Sequence, residues 1–93
     1  MEHHRDEDVL TVRLHRDFNL LTARHLQRLA EGAEEVRIDC RDARLIDSEG
    51  VMAMYDLQRQ GAAVTLIDPP EIFREVLSIL DLEEVFGVEV RQG

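Results

Sequence analysis

Residues 35–67 read EVRIDCRDARLIDSEGVMAMYDLQRQGAAVTLI, and they decide the fold. Val36 and Ile38 alternate with Arg37 and Asp39, the period of a strand, so 35–40 is expected to be extended. From Ser48 the period changes. Gly50, Val51, Met54 and Leu57 recur three or four apart, which predicts a helix from 48 to about 60 that stops at Gly61. Residues 62–67, AAVTLI, are apolar on both faces, as a strand covered on both sides would be. Strand, helix and strand in this order favour parallel neighbours in an α/β layer.

The same alternation extends in both directions. VLTVRL (9–14) has the strand period. TARHLQRLAEG (22–32) places Ala23, Leu26, Leu29 and Ala30 on one helical face, with Thr22 as the expected N-cap and Gly32 as the stop. DPPEIFREVLSIL (68–80) opens like a helix: Asp68 as cap, Pro69 in the first turn and Glu71 reaching back. Ile72, Phe73, Val76, Leu77 and Leu80 form its expected buried stripe. Residues 82–86 suggest a short extra turn and 88–91 a short edge strand.

With 93 residues there is room for one core, so one domain is expected over 8–93. The polar, acidic start MEHHRDED does not look like a secretory signal, and 1–7 reads as a frayed tail. A composition of 44% apolar and 33% charged residues fits a folded chain. No apolar run reaches the roughly 18 residues of a membrane span, so direct membrane insertion is not expected and a cytoplasmic location is. A net charge of −9 argues against nucleic acid as partner. The single cysteine, Cys40, has no partner for an internal disulfide and reads as a buried, inert thiol.

Asp47-Ser48-Glu49-Gly50 is the passage that points to function. In an open α/β sheet, binding groups gather beyond the carboxyl ends of strands, where this turn should lie. Two readings of Ser48 stand. It can be the N-cap, accepting from the backbone N–H of Gly50 or Val51, a role whose loss costs about 1 kcal/mol. It can also be a switch. A phosphate there adds about −1.5 to −2 charges, which the positive end of a helix tolerates and a partner packed over it does not. Met52, Tyr55, Asp56 and Arg59 point outward on the same helix, with Met52 and Tyr55 three apart as a candidate contact pair.

Val36, Ile38 and Asp39, then Leu45-Ile46-Asp47-Ser48 and Gly50-Val51, resemble the recurring pattern of the STAS domain of sulphate transporters and anti-sigma-factor antagonists. The helix, the glycine, the apolar strand and the proline-containing loop before a leucine-rich helix follow in the same order, so the likeness spans nearly the whole chain. It implies an α/β fold with a four- or five-stranded, mostly parallel or mixed sheet and three or four helices. It also implies a bacterial regulatory role. In the antagonists, the serine after the aspartate is phosphorylated by a partner that is both serine kinase and anti-sigma factor, and a PP2C-type phosphatase restores it. Ser48 occupies that phosphoacceptor position, in the turn with Asp47, Glu49 and Gly50.

The family's Gly-acid-apolar-Asp turn before the first helix reads here Arg16-Asp17-Phe18-Asn19, and the position usually small is Glu49. Asp17, Asn19, Met52, Tyr55 and Arg59 are the expected partner contacts. A second function fits the same resemblance: a constitutive subunit that braces the ATPase of a lipid-trafficking transporter or a sensory assembly. An enzyme is not expected, because no histidine is spaced to serve Ser48 and DSEG is not a nucleophile elbow. No cofactor or metal site is expected either; His3-His4 reads as part of a solvated tail.

Overall fold

The computed structural model describes residues 1–91. Its elements in chain order are β1 (Glu2–Asp6), β2 (Val9–Arg13), β3 (Asp17–Phe18), α1 (Leu20–Leu29), β4 (Glu35–Asp39), β5 (Leu45–Ile46), α2 (Ser48–Arg59), β6 (Ala63–Ile67), α3 (Glu71–Ile79) and β7 (Gly87–Glu89). Five strands form one sheet in the order β1-β2-β4-β6-β7. β1 is antiparallel to β2 and all other pairs are parallel. The mixed α/β sheet expected from the sequence is present.

Register explains the core. Leu10, Val36 and Val64 lie side by side across the three central strands, as do Val12, Ile38 and Leu66. All six are buried on one face of the sheet. They share a single core with Ala23 and Leu26 of α1, Val51, Met54 and Leu57 of α2, and Phe73 and Leu77 of α3. The helices therefore form one layer on that face.

The other face carries Thr11, Arg37 and Thr65, all half-exposed, and is not covered by a helix among the described residues. The expectation that 62–67 would be covered on both sides is thus corrected. Ala63 and Thr65 present too little apolar surface to require a second layer, and Ile67 is buried there outside the main core, beside its register partner Asp39.

The N-terminal residues form a strand, not a frayed tail. All five side chains of β1 are exposed, so their composition reads as a tail. The ladder to β2 uses backbone groups, which are indifferent to side-chain polarity. Arg5 ties β1 to the end of α1: its Nη1 donates to the carbonyls of Leu29 (3.2 Å) and Glu31 (2.7 Å), and its Nε to Glu7 (3.1 Å). His3 meets His25 of α1 edge-on, with ring centroids 6.5 Å apart. A charged edge strand of this kind also discourages pairing with another chain.

Two helix starts differ from expectation. α1 begins one turn early, with Asn19 as N-cap; its Oδ1 accepts from the Thr22 N–H at 3.0 Å, so Thr22 is the capped residue and not the cap. Pro70 precedes α3 and offers no side-chain cap. Asp68 instead takes a left-handed conformation (φ 50°), and its carboxylate accepts from the Arg91 N–H at 2.6 Å. Ile72, expected in the buried stripe, is 42% exposed.

The Arg5 clamp yields a stability test. Arg5→Ala removes charged donors from two carbonyls near the end of α1, and urea unfolding should show a loss of about 1 kcal/mol.

Candidate functional site

The site is built where two short loops meet at the carboxyl end of the sheet. β3 and β5 pair in parallel, Asp17 with Leu45 and Phe18 with Ile46. Arg44 and Leu45 donate backbone bonds to the Arg16 carbonyl at 2.8 and 3.0 Å, and Asp47 donates to Phe18 at 2.8 Å. Beneath them Phe18 stacks on Phe73 of α3, centroids 5.9 Å apart. The loop before α1 and the turn before α2 are therefore held as one unit.

Gly50 makes that unit possible. A Cβ at this position would lie 2.9 Å from both the carbonyl carbon and the oxygen of Asn19. Both are backbone atoms and cannot swing aside. Only glycine lets the first turn of α2 rest directly on the chain entering α1. The same Asn19 caps α1, so one residue fixes the start of one helix and supports the start of the other.

Asp47, not Ser48, is the N-cap of α2. Its Oδ1 accepts from the Glu49 N–H at 2.8 Å, and its carbonyl accepts from Val51 at 3.1 Å. Ser48 is the first helical residue and is exposed. Its hydroxyl makes no side-chain hydrogen bond among the described residues. Between the two readings of Ser48, the capping role falls to its neighbour. Glu49 is exposed in the first turn, where its charge complements the helix dipole.

Ser48 opens onto a groove of roughly 430 Å³ between α1 and α2. Leu20, Arg24 and Gln27 line the α1 side; Glu49, Met52 and Asp56 line the α2 side with Ser48. Gln27 donates to the Ala53 carbonyl at 2.6 Å and ties the helices together across the floor. A larger hollow of about 710 Å³ toward the other end of the two helices shares Arg24 and Gln27 with it, so the two adjoin.

The expected contact residues are distributed as follows. Asp17 is exposed on β3, beside the turn. Asn19 is half-buried in its capping role, and Met52 is 42% exposed on the groove wall. Arg59 is exposed at the far end of α2, 3.6 Å from Asp56. Tyr55 does not form an open pair with Met52, as the sequence suggested. It is half-buried, with its ring edge-on to Phe86 at 6.4 Å, because the segment after α3 folds back along that side of α2. Gln58 strengthens that packing by donating to the Val85 carbonyl at 2.8 Å.

Sequence reasoning passed over Leu20, Arg24 and Gln27. Their spacing of four and three marks one helical stripe, and that was the available signal. Asp39 orients the connector after β4: its carboxylate accepts from the backbone and side chain of Arg41 at 3.1–3.3 Å. Cys40 is buried, and desolvation, reinforced by the charge of Asp39, pushes its thiol pKa well above the ordinary value. It stays protonated and unreactive.

Neither a protein-family model nor a curated protein matches this sequence. Solved structures do. The unphosphorylated anti-sigma-factor antagonist SpoIIAA superposes with a TM-score of 0.77 at 13% identity, covering 98% of this chain and 87% of that one. A Thermotoga maritima protein described as a candidate anti-sigma-factor antagonist gives 0.77 in its crystal structure at 18% identity, over 98% of this chain and 86% of that one. Its NMR structure gives 0.76 at 18% identity, over 95% and 78%. This chain thus has the fold of the anti-sigma-factor antagonists, the STAS fold that its sequence resembles.

The Gly50 contact can be measured. In an ordinary helix Gly→Ala gains up to about 1 kcal/mol. Here Gly50→Ala must displace the Asn19 backbone, and denaturant unfolding should show a net loss of about 1–3 kcal/mol.

Proposed function

We propose that this chain is a non-enzymatic regulatory binding module of the anti-sigma-factor-antagonist kind, switched by phosphorylation of Ser48. The partner is a serine kinase that also serves as an anti-sigma factor, and a PP2C-type phosphatase resets the switch. One observation carries the reading: the Ser48 hydroxyl is exposed and unengaged because Asp47 supplies the helix cap. The fold therefore does not depend on that hydroxyl, which is left for chemistry on the surface.

Energetics favour a switch at this position. The domain itself feels about 1 kcal/mol or less from a phosphate at the start of α2, and the helix dipole makes that term favourable. A partner packed dry on the same rim loses several kcal/mol to desolvation and repulsion. Phosphorylation then dissolves a complex while the fold survives. Asp17, Asn19 and Met52 supply the partner contacts near Ser48, Arg59 supplies one at the far end of α2, and Tyr55 supports them from behind through Phe86.

A second reading has an observation of its own. Glu49 keeps a permanent carboxylate exposed beside Ser48, which suits a constitutive subunit bound to a transporter ATPase or a sensory assembly. Incubation with the cognate kinase and ATP separates the two. The switch reading expects a mass gain of one phosphate, lost in Ser48→Ala, and at least about tenfold weaker binding of the phosphorylated form to its kinase, equal to about 1.4 kcal/mol. Ser48→Ala itself should leave stability within about 0.5 kcal/mol of the parent. An unmodified Ser48, with partner binding unchanged in Ser48→Asp, would favour the constitutive subunit.

A further inference from the structure

We infer that Arg24 is the internal counter-charge of phosphorylated Ser48, and that their pairing closes the groove between α1 and α2. The inference rests on the phosphorylation reading and extends it from a repelling charge to a built-in latch.

The groove wall sets up the argument. Of the residues lining it, Arg24 is the only cation; Glu49 and Asp56 are the anions, both on α2 with Ser48. Arg24 stands on the opposite wall and makes no salt bridge or side-chain hydrogen bond among the described residues. Most other arginines are already engaged: Arg13 with Asp42, Arg37 with Glu35 and Glu89, Arg41 with Asp39, Arg59 with Asp56, and Arg5 with carbonyls. Asp47 beside Ser48 is committed to the Glu49 N–H and adds a third negative group to the surroundings.

A phosphate on Ser48 changes this balance. It adds up to two negative charges on a wall that already carries Glu49 and Asp56, and among the side chains lining the groove only the Arg24 guanidinium across the gap can answer them. The two walls are at fixed separation, since Gly50 seats one on Asn19 and Gln27 bridges to Ala53. The long, flexible side chain of Arg24 is what moves. Drawn toward Ser48, it spans the groove and covers Gln27 and Ala53 on its floor. A partner that needs this floor is then excluded by a covering side chain as well as by charge. Arginine suits the task better than lysine would, because its planar fork meets a phosphate with two parallel bonds.

The test uses protein with phosphoserine installed at position 48 during synthesis, so that it does not depend on any kinase. Phosphorus NMR follows the second ionisation of the phosphate, which is near pH 6 for a free phosphoserine. Pairing with Arg24 should hold that ionisation lower in the parent, and Arg24→Gln should raise it by about half a pH unit. Arg59→Gln, at the far end of α2, should leave it in place. Arg24→Lys should recover part of the shift and Arg24→Ala none. An identical titration in the parent and Arg24→Gln, with both proteins folded by circular dichroism, overturns the latch. Failure of the phosphorylation reading would appear elsewhere, as a cognate kinase that leaves Ser48 unmodified.

Discussion

One contact too close for any side chain organises this molecule. The first turn of α2 lies on the backbone of Asn19, and only the missing Cβ of Gly50 permits it. Everything at the functional end follows from that approach. The β3–β5 pair can form, Asp47 can both cap α2 and donate to Phe18, and the N-termini of α1 and α2 come to lie side by side. Interiors are close-packed and transmit such constraints rather than absorb them. The groove beside Ser48 is the space left between two helices whose starts are fixed at one point.

The division of labour within Asp-Ser-X-Gly is physical as well as positional. The aspartate takes the capping task, which demands a side chain turned inward to the helix N–H groups. The glycine takes the packing task, which demands no side chain at all. The residue between cap and glycine turn is then free of both duties, and its hydroxyl faces water. A serine that also capped the helix would make modification costly to the fold. Here the helix cap and the exposed hydroxyl reside in different residues, so one can change without the other.

Much of this was legible in the sequence. The switch between two-residue and 3.6-residue periods located β2, β4, β6, α1, α2 and α3, and the Asp-Ser-X-Gly turn located the start of α2. Among the features that were not legible, three have a definite reason. β1 was hidden because pairing through the backbone leaves no apolar signature in EHHRD. The caps of α1 and α3 were misplaced because Thr22 and Asp68 have the right chemistry one turn or two residues away from where the chain actually bends. The packing of Tyr55 on Phe86 depends on contact between segments thirty residues apart, which helix periodicity cannot express.

The antiparallel course of β1 has a practical corollary. Because Glu2 pairs with Arg13, Met1 lies at the same end of the sheet as Ser48 and shares a small hollow with Asp17 and Leu21. Anything fused ahead of Met1, whether an affinity handle, a fluorescent reporter or another domain, is tethered within reach of the loop before α1. At such short tether lengths its local concentration reaches the millimolar range, enough for a weakly attracted fusion to occupy that surface.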